Sequence, residues 1–382
     1  KGGQSYLLVE QSPNQQNWQP YNVLKRPGQL RILSYQALAH GADAILYFQM
    51  RQSIAGVEKL HGALISHAGH ENTRTFKECA KIGNELRELG DDIIGSRCMA
   101  QVGILFDWDN WWAVEMSSGP SRDLDYLEQV RKYYKSFYDK NIPIDILSTE
   151  SDYAQYTVIV APLLYMIRDD VAKRLDSFVK NGGTLIVSFF SGIVDENDRV
   201  HLGGYPGPLK DVLGIWVEET DALLPGNKNK MMILKPQDIF ASEYECSLLC
   251  DLLHLQGATA LAVYGDDFYE GYPCLTVNQY GKGQAYYIGS DPEEKMLSDL
   301  AGLICDDTKI CPLLDVPKGV EVTRRVSETF EFIFVLNHTH NQHTIPLGQT
   351  DYYEMISDQI ISSAFVLEPY GVVILKKKIN IG

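Results

Sequence analysis

Tyr6-Leu7-Leu8-Val9-Glu10-Gln11-Ser12-Pro13-Asn14-Gln15-Gln16-Asn17-Trp18 is the stretch on which the fold turns. An apolar run leads straight into Glu10, and Pro13 stops it just beyond, so the pattern predicts a parallel strand covered on both faces. In βα architectures functional side chains gather at the carboxyl ends of such strands, which makes Glu10 the first candidate catalytic residue. On position alone, an isolated Glu at a strand end reads as a solvated terminus or a neighbour of a helix cap. Asn17 and Trp18 downstream, and a second strand that also ends among polar and aromatic groups, strengthen the catalytic reading.

Downstream, helical spacing runs over residues 29–40 and is closed by Gly41. A second buried-type strand, Ala44 to Met50, follows. Strand, helix and strand in this order form a βαβ unit. A long loop, 51–71, carries Glu58 and His61, and a helix over 73–89 ends at Gly90. These two steps read as the last two βα units of a (β/α)8 barrel. From about Arg97 strands and helices alternate again with tight glycine turns, the texture of a doubly wound, flavodoxin-like α/β domain. A helix is expected there over 243–255. From about Gly319 the pattern is purely β, including one strand over 365–375, and predicts a small antiparallel sandwich. The expected domains are therefore 1–96, 97–314 and 315–382.

Composition narrows the function classes. The 382 residues carry a formal charge of −16, which disfavours nucleic acid as a partner, and no apolar run is long enough to cross a membrane. Seven scattered cysteines without a C-x-x-C pair indicate neither a disulfide framework nor a zinc ribbon, and suit a reducing, cytoplasmic setting. The chain begins at Lys1-Gly2-Gly3-Gln4-Ser5 and enters a buried-type strand at once, so it is expected to be the C-terminal portion of a longer polypeptide.

Retaining glycosidases use two carboxyl groups about 5–5.5 Å apart, one nucleophile and one acid/base. Glu10 fits the nucleophile's half, and Trp18 can supply an apolar wall. Glu58 and His61 can bind sugar hydroxyls, although on spacing alone they read as an ordinary polar loop. Cys246, Cys250 and His254 recur every four residues and would share a helix face; beside Leu249 and Leu253 they read as buried thiols rather than metal ligands. His338, His340 and His343 read as a solvent-facing hairpin turn. After the strand exit at Phe106, Asp107 and Asp109 stand where a phosphate would sit, which disfavours a dinucleotide site. Trp111, Trp112 and Trp216 are expected in loops, as interface candidates.

Leu8-Val9-Glu10-Gln11-Ser12-Pro13, Asn17-Trp18-Gln19-Pro20, Lys25-Arg26-Pro27-Gly28, Phe48-Gln49 and Glu58-Lys59-Leu60-His61-Gly62 resemble the C-terminal part of the bacterial β-galactosidases of glycoside hydrolase family 42. Phe190 to Asp198 with Gly203 to Gly207 resembles that family's middle domain, and Phe334 to Thr339 its last. The resemblance implies a barrel, an amidotransferase-like trimerisation domain and a small β domain. It implies Glu10 as nucleophile, with Trp18, Phe48, Glu58 and His61 lining the galactose subsite. It also implies a terminal β-galactoside as substrate, a homotrimer, and no cofactor. The acid/base Glu and the zinc site of some members would belong to barrel units that precede this chain, which by itself would be inactive. The alternative is a non-catalytic assembly and scaffold module.

Overall fold

The computed structural model describes residues 4–235 and 239–379. They form two compact units, one joining the stretch up to Met99 to the stretch from Pro312, the other spanning Ala100–Cys311.

In the first unit, β1 (Tyr6–Gln11) and β2 (Ala42–Tyr47) pair in parallel, and α1 (Gln29–Ala39) makes the crossover between them. Gly28 opens α1 with φ of 87°, and a Cβ there would meet Tyr370 Cβ at 3.1 Å; both conditions select glycine. One side of α1 packs on α2 (Arg74–Leu89) through Leu30, Cys79 and Ile82. Its other side packs Ile32, Tyr35 and Leu38 on Phe332, Phe334 and Ile374 of a six-stranded antiparallel sheet. A two-stranded ribbon, His343–Pro346 with Ala364–Leu367, covers that sheet's opposite face through Ile345, Phe365 and Leu367.

Two buried charges join the ends of the chain within this unit. Arg325, fully buried, donates to the carbonyls of Leu38, Ala42, Ile93 and Ser96 and pairs with Asp43 at 2.7 Å. Glu321 accepts from Gln36, His40 and His338.

The second unit is built on an 11-stranded mixed sheet. Its parallel part contains Val102–Leu105, Ile144–Leu147, Val158–Ala161, Thr184–Ser188 and Gly283–Ile288. Numbered along the chain these lie in the order 2-1-3-4-5, that of flavodoxin-like sheets. Helices Tyr126–Tyr138 and Glu294–Thr308 cover one face, and Asp169–Lys180 the other. Among the described residues no helix is long and apolar enough to cross a membrane.

Five expectations need correction. Residues Glu243–Leu255 form a 13-residue strand, not a helix. It pairs with three other strands, and Leu248, at φ of 66°, marks a break in its register. Ladder pairing and burial override the local spacing there, so Cys246, Cys250 and His254 share no helix face. Trp111 and Trp112 lie on the helix Trp108–Met116 and Trp216 on the strand Ile215–Ala222, not in loops. The strand expected over 365–375 is two, Ala364–Leu367 and Val372–Lys378, placed in different sheets because Pro369 and Gly371 interrupt the ladder. Finally, β1 is not covered on both faces: Leu7 is 58% and Val9 70% exposed, since β1 pairs only with β2 among the described residues. His338 also leaves the solvent-facing turn expected of it, meeting buried Glu321 at 2.8 Å.

Candidate active site

Because β1 and β2 run parallel, their carboxyl ends open on one side. Gln11 pairs with Tyr47, and the Phe48 amide donates to the Gln11 carbonyl at 3.1 Å. Glu10, next to Gln11, is exposed at this edge. The long loop 51–71 is stitched back onto it. Its amides at Leu64 and Ile65 donate to the carbonyls of Gln49 and Met50, and the Gly62 amide donates to the Gln15 carbonyl at 2.8 Å. Asn17 donates to the Val57 carbonyl and Gln15 to that of Leu60, at 2.5 and 3.3 Å.

This lacing brings three rings together. His61 stacks on Trp18 with centroids 5.1 Å apart and planes 12° apart, and meets Phe48 edge-on at 5.2 Å. His61 is fully buried, while Trp18 is 57% exposed and presents its outer face. His61 Nδ1 lies 2.9 Å from the Gly62 carbonyl, which can only accept, so Nδ1 carries a proton. In the neutral ring Nε2 is then an acceptor, and it is buried with no protein partner among the described residues. A buried nitrogen of this kind is costly unless something bonds it.

Of the five residues singled out in the sequence, Trp18, Phe48 and His61 form one cluster. Glu10 stands at the strand end beside Phe48's backbone partner. Glu58 lies on a single 3-10 turn, Val57–Leu60, exposed, with its carbonyl accepting from the His61 amide at 3.0 Å.

Sequence reasoning missed the residues that hold this geometry. Asn14 donates to Thr75 Oγ1 at 3.0 Å, and its side-chain oxygen accepts from the Lys25 amide. Lys25 Nζ donates to the Asn14 carbonyl at 2.7 Å, and burial lowers that ammonium's pKa. Gly62 has no room for a side chain, because a Cβ would lie 2.9 Å from the Gln15 carbonyl oxygen. The available signal was the density of Asn and Gln after Pro13, whose short amides bridge loops. A separate shallow groove of about 490 Å³ runs along α2 beside Phe76 and Lys81, apart from these rings.

Comparison with known proteins follows the same order along the chain. Family profiles described as Beta-galactosidase, Beta-galactosidase trimerisation domain and Beta-galactosidase C-terminal domain match residues 1–89, 100–311 and 319–377. Beta-galactosidase BgaP of Planococcus sp. (strain L4) is 51% identical over 377 residues, 99% of this chain and 56% of that protein. Beta-galactosidase Pbg of Clostridium perfringens is 43% identical over 380 residues, 98% of this chain and 55% of the other. The crystal structure of a beta-galactosidase from Bacillus circulans sp. alkalophilus superposes with a TM-score of 0.96 at 46% identity, covering 98% of this chain and 55% of that one. That from Rahnella sp. R3 gives 0.93 at 39%, covering 99% and 55%. The chain thus spans about half the length of the curated relatives it matches. With three profiles matching in order, this chain belongs to the β-galactosidases of glycoside hydrolase family 42.

Proposed function

We propose that this chain supplies the nucleophile, one wall of the sugar pocket and the assembly domain of a retaining β-galactosidase. In this reading β1 to α2 are the last two βα units of a (β/α)8 barrel, within a domain 1–96. The segment 97–314 is an amidotransferase-like domain through which three identical chains associate, and 315–382 is a small β domain. Seven cysteines without a disulfide suit a cytoplasmic setting.

The observation that carries the reading is the convergence of two strand ends through the Phe48–Gln11 bond, with His61 held between Trp18 and Phe48. Glu10 attacks the anomeric carbon of a terminal β-galactoside and forms a covalent glycosyl-enzyme, which water then hydrolyses with net retention. Trp18 offers a flat apolar face to the sugar ring, His61 Nε2 accepts from a hydroxyl, and Glu58 accepts from others. No cofactor enters this chemistry. The acid/base carboxyl group required about 5–5.5 Å from the nucleophile lies, in this reading, in the part of the relatives' length that this chain does not span.

Two assays with a chromogenic β-galactoside test it. The 382-residue chain alone should be inactive. In the full-length polypeptide, Glu10→Ala should abolish turnover, and added azide should restore release of the leaving group by replacing the missing nucleophile. An unchanged rate in Glu10→Ala would refute the assignment. A scaffold reading applies to the chain alone, where the 100–311 match favours self-association. A folded trimer without activity is its expected signature in light scattering.

A further inference from the structure

In a regular strand, residues four apart are separated by about 13 Å, too far for their side chains to meet. Cys246 and Cys250 do meet, because the strand Glu243–Leu255 is irregular between them. Along its neighbour Ser290–Pro292, Pro292 stands opposite Cys246, Asp291 opposite Ser247, and Ser290 opposite Cys250. Leu248 and Leu249 are extra residues against this partner, and Leu248 takes up the slack at φ of 66°. The two cysteines therefore face residues only two apart, a span of about 6.4–6.8 Å, at the upper end of the Cα separations a disulfide accepts. Residues two apart on a strand point to one side, as do their cross-strand partners, so both thiols lie on one face.

The side chains agree with this register. The Cys246 thiol hydrogen-bonds the Cys250 sulfur, and the Ser290 hydroxyl lies 3.6 Å from that sulfur. Both cysteines are buried in the core of the second unit. Their shared hydrogen bond, with burial, pushes the Cys246 thiol up, while the same bond pulls that of Cys250 down. Cys250 is thus the sulfur disposed to ionise, and Cys246 the thiol held against it. Cys274 lies in the same core, where burial pushes its thiol up. Among the described residues no group of three or more His, Cys, Asp or Glu could hold a metal ion, so two touching sulfurs point to chemistry between themselves.

The strand that covers the pair, Ser290–Pro292, has three residues and stands at the end of the sheet's strand order. A short edge of this kind opens locally at little cost, and admits a reagent barely larger than water.

We infer that Cys246 and Cys250 form a reversible oxidation site, at which a hydroperoxide converts two thiols of one strand into a disulfide. The Cys250 thiolate attacks one peroxide oxygen, the O–O bond breaks, and the departing hydroxide takes a proton to leave as water. Cys250 is then a sulfenic acid. The Cys246 sulfur attacks it, the S–O bond breaks, and the Cys246 proton leaves with the hydroxyl as a second water. The sulfurs together lose two electrons and the peroxide gains them. A dithiol reverses the bond, so Cys246 keeps Cys250 from advancing to the irreversible sulfinic acid.

Hydrogen peroxide on the folded 382-residue chain tests this, with exposed Cys311 replaced by serine to remove its own chemistry. After treatment the chain is denatured, alkylated and cut after glutamates, which places Cys246 and Cys250 on the fragment 246–270 and Cys274 on 271–293. Fragment 246–270 should be two hydrogens lighter than its reduced form and should escape alkylation, and dithiothreitol given before alkylation should reverse both. In Cys246→Ser, Cys250 should instead gain two oxygens that dithiothreitol does not remove; in Cys250→Ser, Cys246 should remain alkylatable. Full alkylation of 246–270 in the treated native chain overturns the inference, as does a link between 246–270 and 271–293. Equal peroxide sensitivity of the two serine variants overturns the assignment of Cys250 as the attacking sulfur.

Discussion

His40 Nε2 donates to the Glu321 carboxylate at 2.5 Å across 281 residues of sequence, at a site where Glu321's side chain is 3% exposed. Together with Arg325 and Asp43, this contact makes the first unit a single folding body rather than two adjoining ones. Burial opposes ionisation of Glu321, but hydrogen bonds from His338 and His40 outweigh it and hold the carboxyl well below the usual carboxylate range.

A folded-state pKa below the unfolded one of about 4.3 means stability that is present at higher pH and lost as pH falls through the folded value. Glu321→Gln should therefore cost about 3 kcal/mol at pH 7, read from urea unfolding. The deficit should shrink as pH drops below about 4, where wild type loses the same contribution. A deficit independent of pH would refute the charge-based account.

Arg325 makes bonds to four carbonyls and a carboxylate from full burial. Arg325→Met should destabilise by about 3–5 kcal/mol, because Asp43 is left without its buried partner. Arg325→Lys should recover less than half, since one ammonium cannot reproduce the planar fork. Equal stability of Lys and Arg variants in thermal unfolding would contradict this.

Asp251, buried at the centre of the second unit, accepts from Thr220, Tyr287 and the Phe190 amide at 2.6 to 3.0 Å. Burial raises its pKa, against the lowering effect of those bonds. The sign is opposite to that of Glu321: the native state retains the proton more readily, so stability falls as pH rises above about 3.9. Asp251→Asn can keep the three contacts by donating to Thr220, and should gain on wild type between pH 4 and 7. Asp251→Leu should lose about 1–3 kcal/mol for each stranded donor.

The stacking of Trp18 on His61 predicts a binding defect in the full-length enzyme. Trp18→Ala should raise KM about tenfold, about 1.4 kcal/mol, with a smaller change in kcat. Gly62→Ala should act on the same site indirectly, because its Cβ displaces the Gln15 carbonyl that anchors the His61 loop. An unaltered KM in both variants would detach this cluster from substrate.

Much of this was legible along the chain. The apolar run into Glu10, glycine closing α1 and the alternating texture after Arg97 are local signals, and local backbone preferences determine them. Glu243–Leu255 was not legible, because its four-residue spacing imitates a helix and only the three strands beside it decide otherwise. Nor was the fate of His338, drawn from an apparent surface turn to a carboxylate that burial makes demanding.

The sequence alone determined the strand–helix–strand order of the first segment, the family, the acidic character and the candidacy of Glu10, all properties of neighbours in the chain. Tertiary structure alone decided that Trp18, Phe48 and His61 share one cluster, that β1 leaves Leu7 and Val9 uncovered, and that Glu321 and Arg325 clasp the N-terminal segment. Contacts between residues far apart in sequence depend on which buried polar groups find partners, and no local pattern records that pairing.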